Sequence, residues 1–298
     1  MADHEVPEPP QITVEDLARC RETGDYCPVF FEWYKFVGAL SNFFACIRQD
    51  SPALRTINPL HYAVLTGLLN RCSRLMLSNV ALSHNGLFGE TTALIDRCIF
   101  ESCVKASWLC RKGSNELFTR FVADGLKTEL ALKDEIEAKI AAREGNGTLE
   151  IEKRMLSSIS RHLRSSGLTN QQISGAKKLP DLATMLEDLG QDRLTYVVGQ
   201  KLGSHHVHGT WPSLRMHYLE EDGEGILRPR DHDCPTHVNQ YIMVPLVVLD
   251  AMHAFVTFVF ESQDDIKPMA GLLESVVKEI QSLNEEVIGS DFTVAEEI

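Results

Sequence analysis

Apolar residues recur three and four positions apart along most of this chain, and turn residues separate long periodic runs rather than short, evenly spaced ones. That pattern predicts an all-α protein. Thr13-Val14-Glu15-Asp16 supplies an N-cap for a first helix, and a long apolar helix follows from about Val29 to Arg48. Asn58-Pro59 opens the next, which runs to about Ser83, and the Asn85-Gly86 turn leads into another from about Phe88 to Arg111. From Ser114 to about Leu189 the composition turns to Glu, Lys, Arg and Ser, and amphipathic segments broken at Gly145-Asn146-Gly147 predict a helical hairpin beside the main bundle. A short helix from about Asp192 to Ser204, a two-stranded hairpin around an Asp-Gly turn, a long helix from about Thr236 to Ser262 and a last one from about Pro268 to Glu286 complete the pattern. The expected layout is a single helical domain over residues 12–288, a bundle with 113–190 as a peripheral helical insertion and one small β-hairpin near 213–230. Acidic tails at 1–11 and 289–298 are expected to be disordered.

The stretch from Tyr241 to Phe260 has the length of a membrane span, but Asp250 and His253 near its middle would be costly in hydrocarbon, so it reads as a buried bundle helix. The N-terminal residues carry neither the basic start nor the apolar run of a signal peptide. Eight cysteines form no C-x-x-C pair and mostly fall in apolar helical runs, which favours a reducing compartment. A cytoplasmic protein is expected. With a net charge of -13 the surface as a whole repels phosphate backbones, so no nonspecific DNA binding is expected.

Titratable side chains crowd most tightly in Gly203-Ser204-His205-His206-Val207-His208-Gly209, between a helix end and a Trp-Pro turn. If the helix runs through, Ser204 and His208 are four apart on one face and His205 lies on another; a neutral imidazole there can act as acid, base or ligand near pH 7. Alternatively, the three histidines cap carbonyls and pack beside Trp211. On the preceding central helix Arg97 and Glu101 are also four apart, on a face shared with Leu94, Val104 and Trp108. They are either a buried functional pair, a buried structural bridge, or part of a solvated stripe continued by Glu90 and Lys105. Asp250, His253, Thr257 and Glu261 form a further polar stripe that is either a source of partner carboxylate or the solvent face.

His205, His208, Asp231, His232, Asp233 and His237 could in principle assemble a metal site, yet the sequence has no H-E-x-x-H and no paired E-x-x-H helices. No metal and no cofactor is assigned. A G-x-x-x-x-G-K-[ST] loop, a strand-linked G-x-G-x-x-G turn and a G-x-S-x-G elbow are all missing from the sequence.

Two fragments, LIDRCIFESCVKASWL with Arg97-x-x-x-Glu101 and YVVGQKLGSHHVHGTW with Ser204-x-x-x-His208-Gly209, resemble a bacterial all-helical family catalogued only as a domain of unknown function, over about residues 30 to 260. That family is similar to HEPN-like helical bundles, many of them dimeric ribonucleases of bacterial conflict systems. The HEPN pattern of Arg followed by His after four to six residues occurs as Arg55-x5-His61 and Arg230-x6-His237, no more often than the roughly two matches chance supplies. The resemblance implies a site built from Arg97, Glu101, Ser204 and His208. The first functional expectation is a metal-independent RNA-cleaving effector, with His208 as acid/base, Arg97 stabilising the anion, and Glu101 and Ser204 orienting them. His205, Asp250 and His253 are the additional candidates. The alternative is a non-catalytic helical module binding a partner protein or small anion through Arg97, and a third is a metal-dependent hydrolase around His205 and His208. Candidate partners are RNA or an anionic ligand and a second copy of the chain; no membrane is expected. The two i, i+4 pairs are expected to converge.

Overall fold

The structure, a computed structural model, describes residues 5–143 and 147–295. It is all-α with one small hairpin. Helix α1 (Val14–Thr23) begins at Thr13, whose hydroxyl accepts from the Asp16 amide while Asp16 reaches back to the Thr13 amide. Four long helices build the core: α2 (Cys27–Ala45), α3 (Pro59–Asn85), α4 (Gly89–Lys112) and α12 (Val238–Val259). Each turns one apolar stripe inward at helical spacing. On α2 the stripe is Phe30, Tyr34, Val37, Leu40 and Phe44; on α3 it is Leu65, Leu69, Cys72 and Met76; on α4, Ile99, Cys103 and Ala106; on α12, Val248, Met252, Phe255 and Val259. Full burial of each large side chain contributes about 1.5–3 kcal/mol.

Helix α12 has the length and mean hydropathy, 2.1, of a membrane span. Here its apolar surface is spent on α2, α4 and α13, as the sequence reading anticipated. Helix α13 (Gln263–Ala295) lays Leu273, Val276 and Ile280 against this core, and Arg21 of α1 grips Glu286 with two hydrogen bonds of 3.0 and 3.1 Å. Because α13 continues to Ala295, residues 289–295 of the expected tail are helical; 1–4 and 296–298 lie outside the described residues.

Between α4 and α12 the chain makes an excursion. Helices α5 (Asn115–Ala141), α6 (Glu150–Ser166) and α7 (Asn170–Gly175) pack around a small core of Leu126, Leu130 and Ile173. The connection from α5 to α6 spans the expected Gly145-Asn146-Gly147 break, of which residues 145 and 146 lie outside the described residues. Helix α8 (Leu182–Asp188) returns to α4, where the Trp108 indole donates to Asp188 at 2.8 Å.

The next stretch departs from a plain helix. Helix α9 (Arg193–Tyr196) passes into a π-helical segment, Val197–Leu202, then α10 (Gly203–His208). Helix α11 (Trp211–Ser213) leads into a second π-helical segment, Leu214–Tyr218. Only then do β1 (Leu219–Glu221) and β2 (Leu227–Pro229) pair antiparallel, with Glu220 opposite Arg228. The hairpin expected near 213–230 is therefore shorter at its start, because 214–218 prolongs a helix.

Candidate functional site

The polar centre of the molecule lies where the segment 193–218 packs on the N-terminal half of α4. Asp192 starts that segment by accepting from the Thr195 amide at 2.8 Å. Two glycines then let the backbone close on α4. A Cβ at Gly199 would sit 2.4 Å from Phe100 Cζ, and one at Gly203 would sit 3.0 Å from Arg97 Cβ. The segment ends at Gly209, in the left-handed region at φ 55.

This contact brings α4 and α10 together, the convergence expected from the two i, i+4 pairs, but through a residue the sequence reading left out. With its amide oxygen facing the guanidinium, Gln200 accepts from Arg97 Nε at 3.1 Å and Nη2 at 2.8 Å. The Gln200 carbonyl also accepts from Ser204 Oγ at 2.9 Å. Arg97 and Ser204 thus share Gln200 rather than meeting. Glu101 does not pair with Arg97; Lys105, one turn further along, donates to it at 2.6 Å. His208 is exposed, five residues beyond Gly203 and so rotated away from the face that meets α4. His205 bonds Thr210 at 2.7 Å in the helix cap. Asp250 accepts from Ser107 at 3.3 Å and, with the exposed His253, lines a separate cleft of about 870 Å³ that also holds Arg55.

Arg97 lines a cavity of about 490 Å³ enclosed by α4, the segment 192–206 and α12. Phe100, Thr195 and Val247 border both this cavity and the Asp250 cleft, forming the partition between them. Most of the wall is apolar, including Ile99, Val198 and Val244; the polar lining comes from Asp96, Arg97, Asp192, His206, Asn239 and Gln240. Burial drives the Asp96 carboxyl well above its ordinary range, against the opposing hydrogen bonds from Asn79 and Tyr34. Its Oδ1 accepts from Asn79 at 2.6 Å while its Oδ2 is buried without a partner. Burial, reinforced by the neighbouring His217, likewise holds His206 below the usual imidazole range. Asp192 spends its carboxylate on the α9 cap. Arg97 is left as the cation of the cavity.

Behind His206 lies a buried network. Glu90, in the first turn of α4, accepts from Ser213 and from the Tyr218 hydroxyl, and His206 Nδ1 stands 3.8 Å from it. The His206 and His217 rings meet edge to face with centroids 5.0 Å apart. Asp233 bonds His217 Nδ1 at 2.5 Å and accepts from the Glu90 amide at 2.9 Å, so it caps α4 from a distant loop. Burial pushes the Asp233 carboxyl up, but the Glu90 amide, His217 and the Cys234 amide together leave it below its ordinary value. The Glu90 bond and then burial raise the Tyr218 phenol. Sequence reasoning placed Glu90 in a solvated stripe; its partners lie 123 to 143 positions downstream, beyond the reach of helical spacing.

No curated protein and no solved structure matches this chain. Residues 62–226, which carry Glu90, Arg97, Gln200, His206, His217 and Tyr218, match the model of a family described as Family of unknown function (DUF5677). As that match spans more than half of the sequence, the chain belongs to the DUF5677 family.

Proposed function

We propose that this chain is a helical binding module, acting in the cytoplasm, whose cavity takes a small, largely apolar molecule carrying one anionic group. The observation that carries this reading is the electrostatic make-up of the cavity: apolar walls, an Asp96 held neutral, a His206 held neutral, and Arg97 retaining its charge. A volume of about 490 Å³ suits a compact ligand. Gln200 fixes the Arg97 Nε edge, which leaves Nη1 to meet a carboxylate, sulfonate or phosphate, and the unpartnered Asp96 carboxyl offers a hydrogen bond to a neutral part of the same ligand. The test uses anilinonaphthalene sulfonate, an aromatic anion whose fluorescence rises on apolar transfer. One site per folded chain is expected, weakened about tenfold or more in Arg97→Met, in line with the loss of a charge-assisted hydrogen bond. Binding equal in Arg97→Met and wild type would overturn the assignment.

A second reading, the HEPN-like RNA-cleaving effector, is favoured by one observation: Arg97 and an imidazole, that of His206, line the same cavity. His206 rather than His208 is then the acid/base. Cleavage of RNA that resists chelators and disappears in both Arg97→Met and His206→Ala supports it; cleavage that depends on His208 instead returns the chemistry to the exposed end of α10.

A further inference from the structure

The network behind the cavity holds a group of donors that neither reading uses. His217 Nδ1, Asp233 Oδ1 and Cys234 Sγ lie within 4.8 Å of one another, with Sγ to Nδ1 at 3.3 Å and Oδ1 to Nδ1 at 2.5 Å. One imidazole nitrogen, one carboxylate oxygen and one thiol sulfur are the three ligand types zinc takes, and three protein ligands with a fourth position open is the pattern of its non-structural sites. We propose that His217, Asp233 and Cys234 bind a divalent transition ion of the zinc class.

The backbone builds this arrangement independently of any side-chain choice. The loop carrying Asp233 and Cys234 is pinned to the start of α4, where the Gly89 amide donates to the Cys234 carbonyl at 2.9 Å. A Cβ at Gly89 would lie 2.8 Å from the carbonyl oxygens of Cys234 and Pro235 and 3.0 Å from Cys234 Sγ, so only glycine lets the thiol come this close. His217 arrives from the second π-helical segment, the kind of local widening that re-aims a side chain. The other oxygen of Asp233 accepts from the Glu90 amide, which orients the carboxylate as an outer partner orients a ligand.

A second observation points to a missing partner. His217 is 5% exposed, and its Nε2 has no hydrogen-bond partner; the adjacent His206 Nδ1 is buried and unpartnered as well. Buried polar atoms are rarely left so, and two imidazole nitrogens in contact mark an unfilled polar nest. Tetrahedral bonds of about 2.0–2.3 Å set neighbouring ligand atoms about 3.3–3.6 Å apart. The sulfur-to-nitrogen spacing of 3.3 Å already meets this, and the His217–Asp233 hydrogen bond of 2.5 Å opens as its proton leaves and the ion takes its place. The thiol and imidazole protons are released to solvent on binding. Water or the His206 ring completes the coordination.

The experiment uses the full chain, freed of metal with a chelator and titrated with Co²⁺ alone and then Zn²⁺. One equivalent of Co²⁺ is expected to give a thiolate-to-metal absorption band that Zn²⁺ bleaches. In Cys234→Ser the band disappears and affinity falls by more than the roughly 100-fold cost of losing an outer-shell partner, while exposed His208→Ala binds as wild type does. A wild-type readout covers the case in which Cys234→Ser does not fold. Zn²⁺ is expected to slow alkylation of Cys234 in the folded protein more than about tenfold, with exposed Cys46 unaffected. No stoichiometric band in folded wild type, the same band in folded Cys234→Ser, or equal alkylation rates at Cys234 with and without Zn²⁺ each overturn the site.

Discussion

Replacing Gly199 with alanine adds three hydrogens and one carbon at the closest approach between the π-helical segment and α4. The added Cβ would lie 2.4, 2.5 and 2.7 Å from three atoms of the Phe100 ring. Carbon atoms rest about 3.5–4.0 Å apart, so the interface must open by about 1 Å. Phe100 is 9% exposed and stands beside buried Ile99 and Cys103, so the ring cannot yield without moving its surroundings. Overpacking of this kind costs about 1–3 kcal/mol. The alanine also gains about 1 kcal/mol of helix propensity over glycine, leaving a net loss of up to about 2 kcal/mol. Gly125→Ala, in exposed α5 with no atom within 4 Å of its added Cβ, isolates the propensity gain and should stabilise by about 1 kcal/mol. Urea unfolding followed by circular dichroism should therefore move the two midpoints in opposite directions. Because Phe100 lines the cavity, Gly199→Ala should also weaken binding of the sulfonate probe. A Gly199→Ala protein stabilised as much as Gly125→Ala would refute the close packing on which the Arg97 site depends.

Two further outcomes follow from the buried polar groups. Asp96 has a folded-state value raised well above its ordinary 3.8, so the folded chain holds a proton that the unfolded chain releases, and its contribution, complete below 3.8, declines as pH rises above it. Asp96→Asn removes that slope: the variant should gain on wild type from roughly pH 4 to pH 7 in urea midpoints, and a gap that stays constant with pH would contradict a neutral carboxyl. Glu90→Ala strands the hydroxyls of Ser213 and Tyr218 and should cost about 1–3 kcal/mol, with Glu90→Gln, which keeps an acceptor oxygen, falling between it and wild type in thermal unfolding. Equal melting of all three would show that the network carries no stability.

Local rules made the long helices readable. Asn58-Pro59 does start α3, with Asn58 accepting from the Leu60 amide, and Gly113 does end α4 in the left-handed region. The start of α13 was misread because Pro268 was given the first turn; Ser262 instead accepts from the Asp265 amide and begins the helix at Gln263. Within the site, spacing put Arg97 and Glu101 on one face, but Lys105 stands in the same i, i+4 relation to Glu101 and took it. The inward histidines, His206 and His217, could not be separated from His205 and His208 by pattern, because the choice is made by tertiary contacts with Glu90 and Asp233. Gln200 carried no signal at all, being a residue that spacing rules treat as surface.

The π-helical segment Val197–Leu202 also has a bearing on how relatives of this chain should be compared. A wide turn holds more residues than an α-turn, so one deletion inside it can be absorbed by reverting to α geometry, and everything downstream then rotates by about 100°. Ser204 would arrive opposite Arg97 where Gly203 now sits, and Val207 would replace His206 beside Glu90. The count of residues between Phe100's glycine partner and the histidines, rather than their identity, selects which imidazole points inward. An aligned chain with the same His-His-x-His string and one residue fewer before it would therefore be a protein with a different interior.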